Sequence, residues 1–206
     1  EAVFVQGLLT GGGTFNPTYF TAVDSIIAPG DLYGIGTLSI QGDVVLASGN
    51  ELLIELGRST NDRLRVLADA AQGTTGVASL GGDVWFTPSS AGGGPRHNNT
   101  YTFVTADGGV VNTFDSVNGF LGILRPQVTY NANTVTVKLK AGSFWDALLH
   151  HEALMPLALA LDQIRENHYA SLYDLYGEID LMNPSQLVGA FNTLTPSSMM
   201  DARELM

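Results

Sequence analysis

Two stretches decide the fold class: Gly49-Asn50-Glu51-Leu52-Leu53-Ile54-Glu55-Leu56 and Asp62-Arg63-Leu64-Arg65-Val66. In the first, Leu52, Ile54 and Leu56 share one face while Glu51 and Glu55 point the other way. In the second, Leu64 and Val66 alternate with Arg63 and Arg65. A period of two is the signature of a half-buried strand. Outward from there the pattern recurs in Thr37-Leu38-Ser39-Ile40, and in Val135, Val137 and Leu139 opposite Thr136 and Lys138. Breaks fall at Gly11–Gly13, Pro29-Gly30, Gly34–Gly36, Gly42-Asp43, Gly81-Gly82, Gly92–Gly94 and Gly108-Gly109. Glycine and asparagine supply the positive φ of tight corners.

Short strands with frequent turns fit a sandwich, a barrel or a solenoid. Gly12-Gly13-Thr14-Phe15 and Gly36-Thr37-Leu38-Ser39 each set glycine before a threonine-led strand, and their spacing suits one turn of a solenoid. The expectation is therefore mainly β: a right-handed parallel β-helix over residues 1–142. Tyr101–Val104 and Phe120–Leu124 frame a turn-rich stretch, and Trp85 and Phe86 open a long loop reaching Asn99. Gln127–Tyr130 and Thr134–Leu139 flank Asn131-Ala132-Asn133, a hairpin with Asn at positions that tolerate left-handed backbone. Such a hairpin would cap the last strands, whose backbone groups are otherwise unpaired.

Beyond Gly142 the period turns helical. Of 24 glycines only Gly177 and Gly189 follow that point. Ser143 is placed as the N-cap of a helix over Phe144–Met155, and Pro156 begins a second helix to Glu166. Tyr169–Leu181 carries the stripe Leu172, Leu175, Tyr176, Ile179. Asn183-Pro184 and Thr195-Pro196 start two more helices. Residues 143–206 are thus read as an α-helical segment.

The chain has 206 residues, 45% hydrophobic and 14% charged, enough for a buried core. Its net charge is −11, with only Lys138 and Lys140 as lysines. That balance argues against nucleic acid and anionic lipid as partners. No stretch reaches the length of a membrane-spanning helix. Without cysteine, disulfides and thiolate metal sites are excluded. The strand pattern already running at Glu1 reads as a segment of a longer chain.

Chemistry-bearing groups are sparse. His150, His151 and Glu152, with Glu166 and His168, would be the metal candidates. Adjacent helical residues point about 100° apart, so the two histidines do not converge on one ion. Asp43, Asp62, Asp69, Asp83 and Asp107 sit at glycine turns. They are either acids for glycan cleavage or calcium binding, or corner residues bonding backbone; the corner reading is the simpler. Gly11–Gly13 and Gly92–Gly94 lack the context of a phosphate loop, and Gly142-Ser143-Phe144 is a helix start. No catalytic, cofactor or metal residue is expected. Tyr169, Tyr173 and Tyr176, with Leu172 and Met182, form an aromatic stripe that either packs among helices or supports self-association.

In order along the chain, Ile27-Ala28-Pro29-Gly30, Gly34-Ile35-Gly36-Thr37-Leu38, Gly49-Asn50-Glu51-Leu52 and Asp62-Arg63-Leu64-Arg65-Val66 resemble the C-terminal coils of autotransporter passengers. Tyr101–Val110, Thr113–Val117 and Gly119 resemble the block that follows. Pro126–Val137 resembles the hairpin that ends the passenger, and Ala160–Ile164 with Leu172–Tyr176 resembles the stretch before the barrel. Ala68-Asp69 and the residues from Trp85 to Asn99 depart from the family pattern. The resemblance implies a non-catalytic autochaperone and stalk of type V secretion at the Gram-negative cell surface. Its implied partners are its own translocator β-barrel and the upstream passenger. No barrel strands are read before Met206. The weighed alternatives are a surface adhesin that binds a cell-surface or host ligand, and a fragment of a polysaccharide-active enzyme.

Overall fold

A computed structural model describes residues 1–31, 34–89 and 93–194. The strands are β1 (Ala2–Val5), β2 (Leu8–Gly11), β3 (Gly13–Phe15), β4 (Tyr19–Val23), β5 (Ile26–Pro29), β6 (Thr37–Gln41), β7 (Asp43–Leu46) and β8 (Glu51–Leu56). They continue as β9 (Arg63–Leu67), β10 (Val77–Ser79), β11 (Asp83–Pro88), β12 (Thr100–Ala106), β13 (Gly109–Val111), β14 (Ser116–Gly119), β15 (Leu124–Tyr130) and β16 (Thr134–Ala141). The helices are α1 (Phe144–Ala147), α2 (Met155–His168), α3 (Tyr173–Ile179) and α4 (Pro184–Leu194), with single 3₁₀ turns at Glu152–Leu154 and Tyr169–Leu172. The chain is mainly β with parallel sheets and a short helical segment.

Three sheets hold the strands, in orders β1-β4-β7-β10-β13, β14-β11-β8-β5-β2 and β15-β16-β12-β9-β6-β3. From β1 to β14, hydrogen-bonded neighbours are three strands apart in sequence, and the strand pairs run parallel. Like side chains therefore stack. Ile27 aligns with Leu52 and Leu52 with Val84 in one sheet. Leu38, Leu64 and Val104 align in another, and Phe20 pairs with Val44 in the third. All of these are buried. Across sheets, Phe86 meets Phe103 edge-on at 5.1 Å and Phe15 meets Phe20 at 5.8 Å.

The stretch from β1 to β14 repeats one corner. Gln6, Asp24, Gly49, Gly82 and Asn112, each between a strand of the first sheet and one of the second, all have positive φ. At Gly82 a Cβ would run into the Asn50 carbonyl, so only glycine fits. The ladder sets Gly13 against Leu38 rather than Gly36, two residues beyond the motif spacing. Hydrogen bonding, not the glycine, sets that register.

Several expectations need correction. Trp85 and Phe86 lie in β11, not in a loop; Phe86 points inward and is fully buried. Phe120 and Leu121 lie outside any element, Gly122 and Ile123 form a turn, and only Leu124 opens a strand. The hairpin forms, but neither Asn131 nor Asn133 is left-handed; the Asn131 amide donates to the Thr134 carbonyl in an ordinary turn. The helix expected over Phe144–Met155 is one turn, α1, followed by a 3₁₀ turn. Pro156 has no N–H for the Glu152 carbonyl, so a regular helix cannot run through this point. The helix expected from Thr195-Pro196 lies outside the described residues.

Two compact units emerge. One comprises Glu1–Phe120 and Pro126–Leu139, the other Leu121–Arg125 and Lys140–Met206. The second has its own core of Ile123, Phe144, Leu148, Leu154, Leu161, Tyr176, Ile179, Leu187 and Phe191.

Candidate functional site

β12 is where the pairing changes sense. On one side it runs parallel to β9; on the other, β16 runs antiparallel, with Tyr101 opposite Val137 and Thr105 opposite Thr134. The register slips between Thr102 and Val104, a local bulge. Val135, Val137 and Leu139 face inward and are fully buried. The alternation of β16 is thus spent on a core face.

The hairpin tip is tied by hydrogen bonds that no local pattern announces. The Ala106 amide donates to the Asn133 carbonyl and the Val110 amide to the Ala132 carbonyl. The Asn133 Nδ2 donates to the carbonyls of Ala106 (2.7 Å) and Asp107 (3.0 Å). The Phe114 amide donates to the Tyr130 hydroxyl at 3.2 Å. Burial pushes that phenol above its ordinary pKa, and the Phe114 amide partly offsets the rise. Phe103 and Phe114 stack 6.1 Å apart, and Phe114 lies 6.4 Å from Tyr130. An aromatic series thus leads from the buried Phe86 to the hairpin.

The turn aspartates are corner braces. The Asp43 carboxylate accepts the Gly76 and Val77 amides, both at 2.9 Å. Asp62 accepts those of Gly36 and Glu55, both at 2.8 Å, and Asp107 accepts that of Ala68 at 3.0 Å. Asp69 binds the Ala71 amide within its own turn, and Asp83 accepts the Ser116 hydroxyl at 2.6 Å. Asp115, which sequence reasoning did not single out, accepts the Gly82 amide at 3.0 Å. Its partner is 33 residues away, so no local signal marks it. Asp62 is buried, and desolvation raises its carboxyl to about 7 despite the two amides, with Glu55 adding repulsion.

The histidine group does not converge. His150, His151 and Glu152 are exposed around a turn, and no three His, Asp or Glu side chains among the described residues could hold a metal ion. Gly11 and Gly13 lie in β2 and β3, and Gly92 is outside the described residues. Ser143 caps α1 as expected. Asp162 from α2 also accepts the Phe144 and Trp145 amides at 2.9 and 3.0 Å, an unforeseen second cap. Of the tyrosine stripe, Tyr176 is fully buried and stacks on Tyr169 at 5.4 Å. Tyr169, Leu172 and Met182 pack against the helical core. Tyr173 meets Tyr169 edge-on at 5.6 Å.

No protein-family model matches the chain, and no curated protein sequence matches it.

Proposed function

We propose that residues 1–142 wind as a right-handed parallel β-helix closed by the β15–β16 hairpin. In this reading the chain is a non-catalytic folding and secretion module of an autotransporter passenger, working at the cell surface next to its own translocator barrel. The observation that carries it is the hairpin laid antiparallel along β12 after a series of parallel pairings three strands apart. A sheet that grows by parallel addition leaves an unpaired edge, and an antiparallel hairpin ends such growth. The other ends of the three sheets are β1, β2 and β3. There Phe15, in register with the buried Ile40, is 43% exposed. In this reading that end receives the next turn of upstream passenger. Stability in such an array comes from neighbouring turns, so a closed, locally stable end serves as a template.

The reading is tested by truncation. A chain ending at Gly119 lacks the strand that covers β12 and the phenol that holds Phe114. It should aggregate or be digested under conditions where the full chain is resistant. A soluble, protease-resistant, monomeric truncate contradicts the reading.

A further inference from the structure

The outward face of the β2-β5-β8-β11-β14 sheet carries an aromatic platform within an acidic frame. Trp85 stacks on Phe120 at 5.0 Å and 21°, and Phe120 is 67% exposed. The ladder aligns Leu53, Trp85 and Asn118 across three strands, with Glu51, Asp83 and Ser116 beside them and Glu55 opposite Thr87. These positions alternate with the buried Leu52, Ile54, Val84 and Phe86, so they share the outer face. None of the five strands contains lysine or arginine.

We propose that this face binds a linear glycan bearing free amines, lying across the strands. An aromatic face takes the C–H side of a sugar ring and attracts a nearby ammonium. Glu51 and Asp83 complement that positive charge and repel anionic sugars. Thr87 adds a hydroxyl, while the Ser116 hydroxyl, which donates to Asp83 at 2.6 Å and accepts from Asn118 Nδ2 at 2.7 Å, holds those two side chains in place. Neighbouring strands lie about 4.8 Å apart, close to the length of one hexose in an extended chain, so successive rings meet successive strands. The proposal is independent of the secretion reading, since it needs only this sheet.

The test is calorimetric titration of the full chain at low salt with glucosamine hexamer, N-acetylglucosamine hexamer and an oligogalacturonate, while NMR follows the two indole N–H signals. Glucosamine hexamer should bind about tenfold or more tightly than the acetylated chain, as one or two ammonium contacts would give, and should move the Trp85 signal but not that of Trp145. Phe120→Ala, at an exposed position, should lose most of the binding with an unchanged far-ultraviolet circular dichroism spectrum; Glu51→Gln should weaken it and flatten its salt dependence. Absence of binding at millimolar hexamer, equal affinity for the acetylated chain, or full binding by Phe120→Ala would each overturn the proposal.

Discussion

Asp62 shows how one side chain sets a corner. Its two oxygens satisfy the Gly36 and Glu55 amides, from residues on either side of the corner. Asp62→Ala strands both donors, at about 1–3 kcal/mol for each buried group left unpaired; chemical denaturation should show a loss of about 2 kcal/mol or more. The pH dependence follows from the carboxyl being raised from 3.8 to about 7. Between those values the folded chain binds more protons than the unfolded one. This group's contribution is therefore full below pH ~4 and is lost as pH rises through about 7. Urea melts of Asp62→Asn should lack that part of the decline. The aspartate was visible in the sequence as a turn residue. Its partners were not, because Gly36 is 26 residues away and the register that joins them belongs to the sheet.

Elements were legible in proportion to how far their own residues decide them. β8 and β16 alternate cleanly because each has one face in the core and one outside. β11 was hidden: Asp83-Val84-Trp85-Phe86 also alternates, but its aromatics abut a glycine-rich stretch that reads as loop. α4 announced itself through Asn183, whose side chain and that of Gln186 reciprocally accept each other's amides. The buried pair of Arg165 and Asp180 was not foreseen. Its two bonds of 2.7 and 2.6 Å hold a guanidinium lying 4.7 Å from the centre of the Phe144 ring and 4.4 Å from that of Tyr176. Arg165→Ala leaves a buried carboxylate uncompensated, a cost of about 3–5 kcal/mol. Thermal melting followed by near-ultraviolet circular dichroism should show it in the tyrosine signal. An unshifted melt would mean that water takes over the role of Arg165.

At the scale of the whole chain the order of assembly matters. Parallel pairing between strands far apart in sequence costs loop entropy before it is repaid. The β15–β16 hairpin closes over three residues, so it is the cheapest long-lived contact near β12. Under the proposed function, the hairpin and β12 form first and the earlier strands add onto them. The most direct test compares Leu139→Ala with Ile27→Ala, both at fully buried positions. Each should cost about 2–5 kcal/mol at equilibrium, which is ample for a kinetic comparison. Stopped-flow folding should place the Leu139 loss mainly in a slower folding rate, with φ above about 0.5, and the Ile27 loss mainly in faster unfolding, with φ near 0. The reverse assignment, with φ near 0 at Leu139 and high at Ile27, would contradict an assembly that begins at the hairpin.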